Sequence, residues 1–117
     1  MKKISIELFV EDILEAMDKI ERYINDLTYD AFLKNEMVID AVIRNLEIIG
    51  EASRNIPDDF REKHPDIPWK RMIGLRNLAI HKYFGVDLSI IWQIMTRNLP
   101  ETKAGILAIL KSIKEEE

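Results

Sequence analysis

An all-α fold, an antiparallel bundle of four main helices, is what three features of this 117-residue chain predict. Apolar residues recur at helical spacing in several separate stretches. Nowhere do apolar and polar residues alternate as in a half-buried strand. The stretches are divided by short segments rich in residues that start or stop helices. Helices joined by modest loops pack most simply beside their neighbours in sequence, which gives the bundle. One domain, residues 1–117, is expected, because a chain of this length supports a single core with little to spare.

The first helix carries the strongest signal. Ile6, Val10, Ile13, Met17, Ile20, Ile24 and Leu27 follow one another at spacings of four and three, an unbroken apolar seam over three heptads. Ser5 is the expected N-cap. Phe9, Leu14 and Tyr23 widen the apolar face, so the seam is expected to pack into the core, with a dimer seam as the alternative. A break follows at residues 25–30. The second helix carries Ile39, Ile43, Leu46 and Ile49 on one side and ends before Pro57, with Asn35 or Asp30 as its start. Residues 56–68 hold three of the four prolines and read as a connection with one short helical turn.

Pro68 suits the first turn of a third helix, where its missing N–H leaves no bond unmade. Trp69, Met72, Ile73, Leu75 and Ile80 supply its apolar surface, and Gly85 sits where a left-handed C′ residue is expected. Asp87 caps a fourth helix bearing Leu88, Ile91, Trp92, Met95 and Leu99. Pro100 should kink or interrupt it. Leu107, Leu110 and Ile113 continue a helical pattern beyond, so an extra short helix or a kinked C-terminal helix completes the bundle.

Composition narrows the class of function. There are no cysteines, which excludes disulfides and thiolate metal sites. Acids appear by Glu7, Glu11 and Asp12, so no signal-peptide core follows the N-terminus, and no apolar run approaches the roughly 20 residues that span a bilayer. A cytoplasmic protein without a membrane contact is expected. The formal charge of −4 does not suit a general nucleic-acid binder. It leaves room for a local basic cleft, because Lys63, Lys70, Arg71, Arg76 and Lys82 fall within twenty residues of one another.

The only obvious chemistry lies in that stretch, as Arg76-Asn77-x-x-x-His81-x-Tyr83. Arginine can hold a phosphate through two parallel hydrogen bonds. Histidine exchanges protons near neutral pH, with a reference pKa of about 6.5. Tyrosine offers a hydroxyl that can be modified. His64 precedes Pro65 in a loop without chemical neighbours and reads as structural. His81 differs because Arg76, Asn77 and Tyr83 lie within two turns of it. Asn77 and His81 are i and i+4 and share a helix face. Arg76 and His81 are five apart, roughly 140° around a helix of 3.6 residues per turn, so one straight helix does not aim both at one point. Either the arginine arm swings around the helix, or a two-fold dimer brings two copies of the motif together. Arg76 otherwise reads as a surface salt bridge, Tyr83 as a half-buried aromatic and Lys82 as solvated.

Glu47 and Glu51 are an i, i+4 pair flanked by Arg44 and Arg54, which reads chiefly as an exposed face of alternating charge. Two helix carboxylates without a nearby histidine make no metal site, and no phosphate-cradling glycine loop or serine nucleophile is present. No cofactor is expected.

Taken in order, the helix-1 seam, Ile49-Gly50-Glu51-Ala52, Ile67-Pro68-Trp69, the Arg76 to Tyr83 motif, Phe84-Gly85-x-Asp87 and Leu99-Pro100 resemble the HEPN ribonucleases over nearly the whole chain. More closely, they resemble HepT-type toxins encoded beside a minimal nucleotidyltransferase antitoxin. The resemblance implies a homodimeric HEPN-type bundle with a composite cleft at the dimer interface. It implies RNA as substrate, Arg76 and His81 as catalytic residues, and Asn77, Glu51 and Lys82 in support. It further implies neutralisation by transfer of AMP to Tyr83. The alternative is a non-catalytic dimeric scaffold or nucleotide-binding partner of a nucleotidyltransferase. His81 separates the two, since a scaffold needs no titrating group beside Arg76.

Overall fold

The structure, a computed structural model, describes residues 3–80 and 87–116. Among the described residues every regular element is helical and there is no strand. The elements are α1 (Lys3–Ile24), α2 (Tyr29–Leu33), α3 (Glu36–Asn55), α4 (Asp58–Glu62), α5 (Trp69–Ile80), α6 (Leu88–Gln93), a π-helical turn (Ile94–Asn98) and α7 (Leu99–Glu115). No helix is long and apolar enough to cross a membrane.

The α1 seam faces the core: Val10, Ile13, Met17 and Ile20 are almost wholly buried, and α1 packs on α3 and α7. Tyr23 stays exposed. Ser5 does not cap the helix, which starts at Lys3, two residues earlier. The break after α1 includes Asp26, in the left-handed region at φ 66°.

Both expected starts of the second helix contribute, though not as alternatives. Thr28 caps the short α2 by accepting from the Ala31 N–H at 3.1 Å, with Asp30 in its first turn. Asn35 then caps α3 through the Val38 N–H, also at 3.1 Å. Phe32 of α2 is fully buried and meets Trp92 at a ring-centroid distance of 5.2 Å, while Tyr29 meets the same indole at 5.8 Å. Aromatic pairs of this kind add about 0.5–1.5 kcal/mol beyond their area, so the otherwise marginal α2 is held against α6. Along α3, Val42, Ile43, Leu46 and Ile49 are buried.

The proline-rich connection holds α4 and is tied to α5 by Trp69, whose indole N–H donates to the His64 carbonyl at 3.0 Å. Pro68 stands just outside α5, its carbonyl accepting from Met72 N at 3.0 Å. Gly85 lies outside the described residues. Asp87 caps α6 by accepting from Ser89 N at 2.9 Å, and these hydrogen bonds from Ser89 hold its carboxyl below the usual carboxylate range.

Pro100 acts by widening the helix before it. Proline lacks an N–H, and its ring meets the carbonyl four residues back. In the π-helical turn the Leu99 N–H donates to Ile94 O, five residues back, and the helix runs on through Pro100 into α7. Beyond it the buried stripe is Ile106, Ile109 and Ile113, while Leu107 is exposed. Of the expected pattern Ile113 is buried and Leu110 packs against the core, while Leu107 gives way to Ile106 and Ile109. Both stripes are apolar, and contact with α1 chooses between them. Lys103 reinforces that contact, with Nζ 2.6 Å from Asp18 and 3.1 Å from Glu21.

Candidate functional site

Arg76 sits where α5 presses most closely on α3. The closeness has a specific cause at Gly50, on the buried side of α3. A Cβ built there would lie 2.6 Å from the Arg76 backbone nitrogen, 3.0 Å from Arg76 Cβ and 3.1 Å from Ile73 O. A glycine inside a helix costs about 1 kcal/mol relative to alanine. Here the missing methyl lets the backbone of α5 lie directly against α3, and it does so at the arginine of the motif.

The next residue on α3 completes the arrangement. Glu51 Oε2 lies 3.1 Å from Arg76 Nε, and both side chains are about half exposed. An ion pair this open to water contributes about 0–1 kcal/mol, so its value lies in orientation. The contact is made at Nε. The two terminal nitrogens of the guanidinium have no hydrogen-bond partner among the described residues, and these are the pair that could grip a phosphate. The neighbouring Asn77 is exposed. His81, Lys82 and Tyr83 lie outside the described residues, so of the motif only Arg76 and Asn77 have described positions.

The alternating-charge reading of α3 therefore holds in part. Glu51 is exposed, but its ionic partner is Arg76 of another helix rather than Arg44 or Arg54. Of the other cations of the basic stretch, Lys63, Lys70 and Arg71 do not converge into one cleft. Lys63 lines a cavity of about 420 Å³ with Phe60, His64 and Ser112. Lys70 lines a shallower one of about 400 Å³ with Arg61 and Trp69. Arg71 lines a third, of about 410 Å³, between α5 and the start of α7. His64 stacks on Phe60 at 4.9 Å, in keeping with a structural role. Among the described residues, no three His, Cys, Asp or Glu side chains are grouped as metal ligands.

Gly50 is the site residue that sequence reasoning passed over. Its signal was present: a lone glycine in an otherwise strong helix, next to an acid, implies a close approach or a functional constraint. What approaches it could not be read from one helix.

The fold and site thus define a small all-helical protein with an arginine braced between two helices. The family model for HepT-like ribonucleases matches residues 13–109. A Methanocaldococcus jannaschii protein named "Putative RNase MJ1380" is 50% identical over 106 residues, covering 91% of this chain and 97% of the relative. A second from that organism, "Putative RNase MJ0127", is 45% identical over 117 residues, covering 100% of this chain and 97% of its own. "Probable ribonuclease HepT" of Thermococcus cleftensis is 45% identical over 95 residues, 81% of this chain and 86% of that one. No solved structure matches the chain. The chain belongs to the HepT-like ribonuclease family.

Proposed function

We propose that the protein is a metal-independent endoribonuclease toxin that works as a homodimer of HEPN-type antiparallel bundles, with two copies of Arg76-x4-His81-x-Tyr83 lining one cleft. The observation that carries this reading is the state of Arg76: Glu51 lies 3.1 Å from its Nε, and among the described residues its terminal nitrogens have no hydrogen-bond partner. A guanidinium held in that way suits a phosphodiester, whose transition state gathers negative charge on the phosphoryl oxygens. His81 assists attack of the RNA 2′-hydroxyl on the adjacent phosphorus or protonates the departing 5′-oxygen. Asn77 and Lys82 support substrate or imidazole, and Glu51 braces Arg76. The names of the relatives support RNA as the substrate.

Control belongs to a minimal nucleotidyltransferase antitoxin, which moves AMP from ATP to the Tyr83 hydroxyl and releases pyrophosphate. The bulk and negative charge of that group would block RNA beside the arginine.

The test is cleavage of single-stranded RNA by purified protein in the presence of EDTA. His81→Ala should lose about 10²–10⁴-fold in rate, the usual worth of general acid–base help. Arg76→Ala should lose activity while keeping its helical circular dichroism. Near wild-type cleavage by both variants would sink the assignment. For control, intact-mass spectrometry after incubation with the cognate nucleotidyltransferase, ATP and Mg²⁺ should show an added AMP that Tyr83→Phe cannot receive. Modification mapping instead to Tyr23 or Tyr29 would move the control point.

A further inference from the structure

The third cavity is lined from α5 by Arg71, Met72, Gly74 and Leu75, and from the other side by the π-helical turn and α7. Gly74 is the feature that calls for an explanation. It lies in the middle of α5, where glycine costs about fivefold in local helix equilibrium relative to alanine. Yet a Cβ placed there would meet nothing within 4 Å. Packing among the described residues gives this glycine no purpose, in contrast to Gly50. A bare stretch of helix backbone is useful where a ligand comes close from outside.

The polar groups of the groove describe that ligand. Asn98 and Glu101 both line it, one at the end of the π-helical turn and the other three residues on, so they are neighbours on one helix face. The Asn98 side chain has no hydrogen-bond partner among the described residues, and neither Glu101 nor Arg71 has an ion-pair partner there. Thr102, also in the lining, already donates to Asn98 O at 2.9 Å. A carboxylate in the groove repels a phosphate but accepts the N–H groups of a base. An amide beside it can donate to a base carbonyl. Guanine presents that set side by side on its Watson–Crick edge: one carbonyl oxygen and then two N–H donors. The unpaired Arg71 can meet the phosphate attached to such a base. The volume, about 410 Å³, falls in the range of small-molecule pockets, about 300–1,000 Å³. A second copy of the chain would instead need a broad face of about 800 Å².

We infer that this groove is a base-binding subsite for an unstacked guanine of single-stranded RNA, on the same helix as the motif arginine. Unstacked bases read along their Watson–Crick edges are the usual targets of sequence-specific RNA recognition. The groove supplies the sequence preference of the cleavage described above, on which this inference rests. Gly74 gives the base and ribose room against the helix, and Glu101 reads the donors. Asn98 reads the carbonyl, and Arg71 holds the neighbouring phosphate.

The experiment uses full-length protein, 2′-O-methyl RNA 12-mers that resist cleavage, and cleavable versions of the same sequences. One 12-mer is all uridine, one carries a single central guanine, and one a central adenine. In ¹⁵N-labelled protein the Gly74 amide should shift with the guanine oligomer and much less with the other two. Gly74→Leu should weaken guanine-oligomer binding about tenfold or more in fluorescence anisotropy, and weaken all-uridine binding much less. Glu101→Gln should remove the preference for guanine over adenine, and it keeps the test available should Gly74→Leu not fold.

Cleavage with wild-type base preference in both variants would overturn the subsite and leave the nuclease reading standing. Guanine-selective binding by a protein that cleaves nothing would support the subsite and end the nuclease reading. Loss of a dimer in Gly74→Leu, by analytical ultracentrifugation and without any base dependence, would overturn the subsite in favour of an interface between copies. GMP binding as tightly as the guanine 12-mer would overturn RNA as the ligand. Absence of any RNA binding would overturn both readings.

Discussion

On one side of α5 the helix lies so close to α3 that Gly50 has no room for a methyl group; on the other, Gly74 looks onto open space. The same residue type, in the interior of a helix both times, answers two different demands. At Gly50 the neighbours are backbone atoms, which no rotamer change can move aside. At Gly74 nothing among the described residues lies within 4 Å of such a Cβ. The difference teaches that one side of α5 is fixed by packing and holds Arg76 in place, while the other carries no such constraint among the described residues. Composition and helix propensity treat the two glycines alike, and only the atoms around each separate them.

The largest effect should come from breaking the packed side. Gly50→Ala drives a methyl group into the Arg76 backbone, and such overpacking costs about 1–3 kcal/mol. The helix gains about 1 kcal/mol from the same change, so a net loss of stability is expected, read as a lower midpoint in urea unfolding. RNA cleavage should fall further than stability does, because Arg76 is displaced from the position that Glu51 braces. A stabilised Gly50→Ala variant would show that α3 and α5 have slack here.

The open side should answer in the opposite direction. Gly74→Ala meets no atom, so it should raise stability by about 0.5–1 kcal/mol through helix propensity alone. A loss in thermal unfolding would mean that the groove is already filled. Smaller again is the effect of Glu51→Gln. The pair it breaks is half exposed and worth about 0–1 kcal/mol, so unfolding should barely change. Cleavage should still fall, since an unbraced guanidinium samples more orientations. Equal cleavage by Glu51→Gln and wild type would leave the ion pair without a positioning role.

A contact that does not involve α5 serves as the control. Lys103 is held by Asp18 and Glu21, and these hydrogen bonds raise its pKa above the usual lysine value of 10.5. The folded state therefore binds this proton more tightly than the unfolded chain does. The stabilisation is fully present below about pH 10.5 and is lost as pH rises through the higher folded value. Lys103→Met should flatten that alkaline fall in a pH series of urea midpoints, and it should leave RNA cleavage unchanged. An identical alkaline fall in Lys103→Met would assign it to another group.

Much of the fold was legible in the chain because helices are local. The α1 seam and the Asn35 and Asp87 caps each depend on residues within one or two turns, so spacing alone announced them; at Pro100, where a kink or break was expected, a π-helical turn lets the helix run on. Where two apolar stripes compete on one helix, as with Leu107 and Ile106, the pattern could not choose, because burial depends on which neighbour arrives. The motif was equally plain as a set of residue types, and the offset between Arg76 and His81 on a single helix was computable from the helical repeat. Other matters belonged to tertiary structure alone. The sequence by itself determined an all-helical chain and placed its candidate chemistry near residue 76. The meeting of α3 and α5 decided that Glu51 takes the Nε of Arg76, that Gly50 is the reason the two helices can meet there, and that Gly74 is free. Those facts depend on distances between residues more than twenty positions apart, and no local periodicity encodes them.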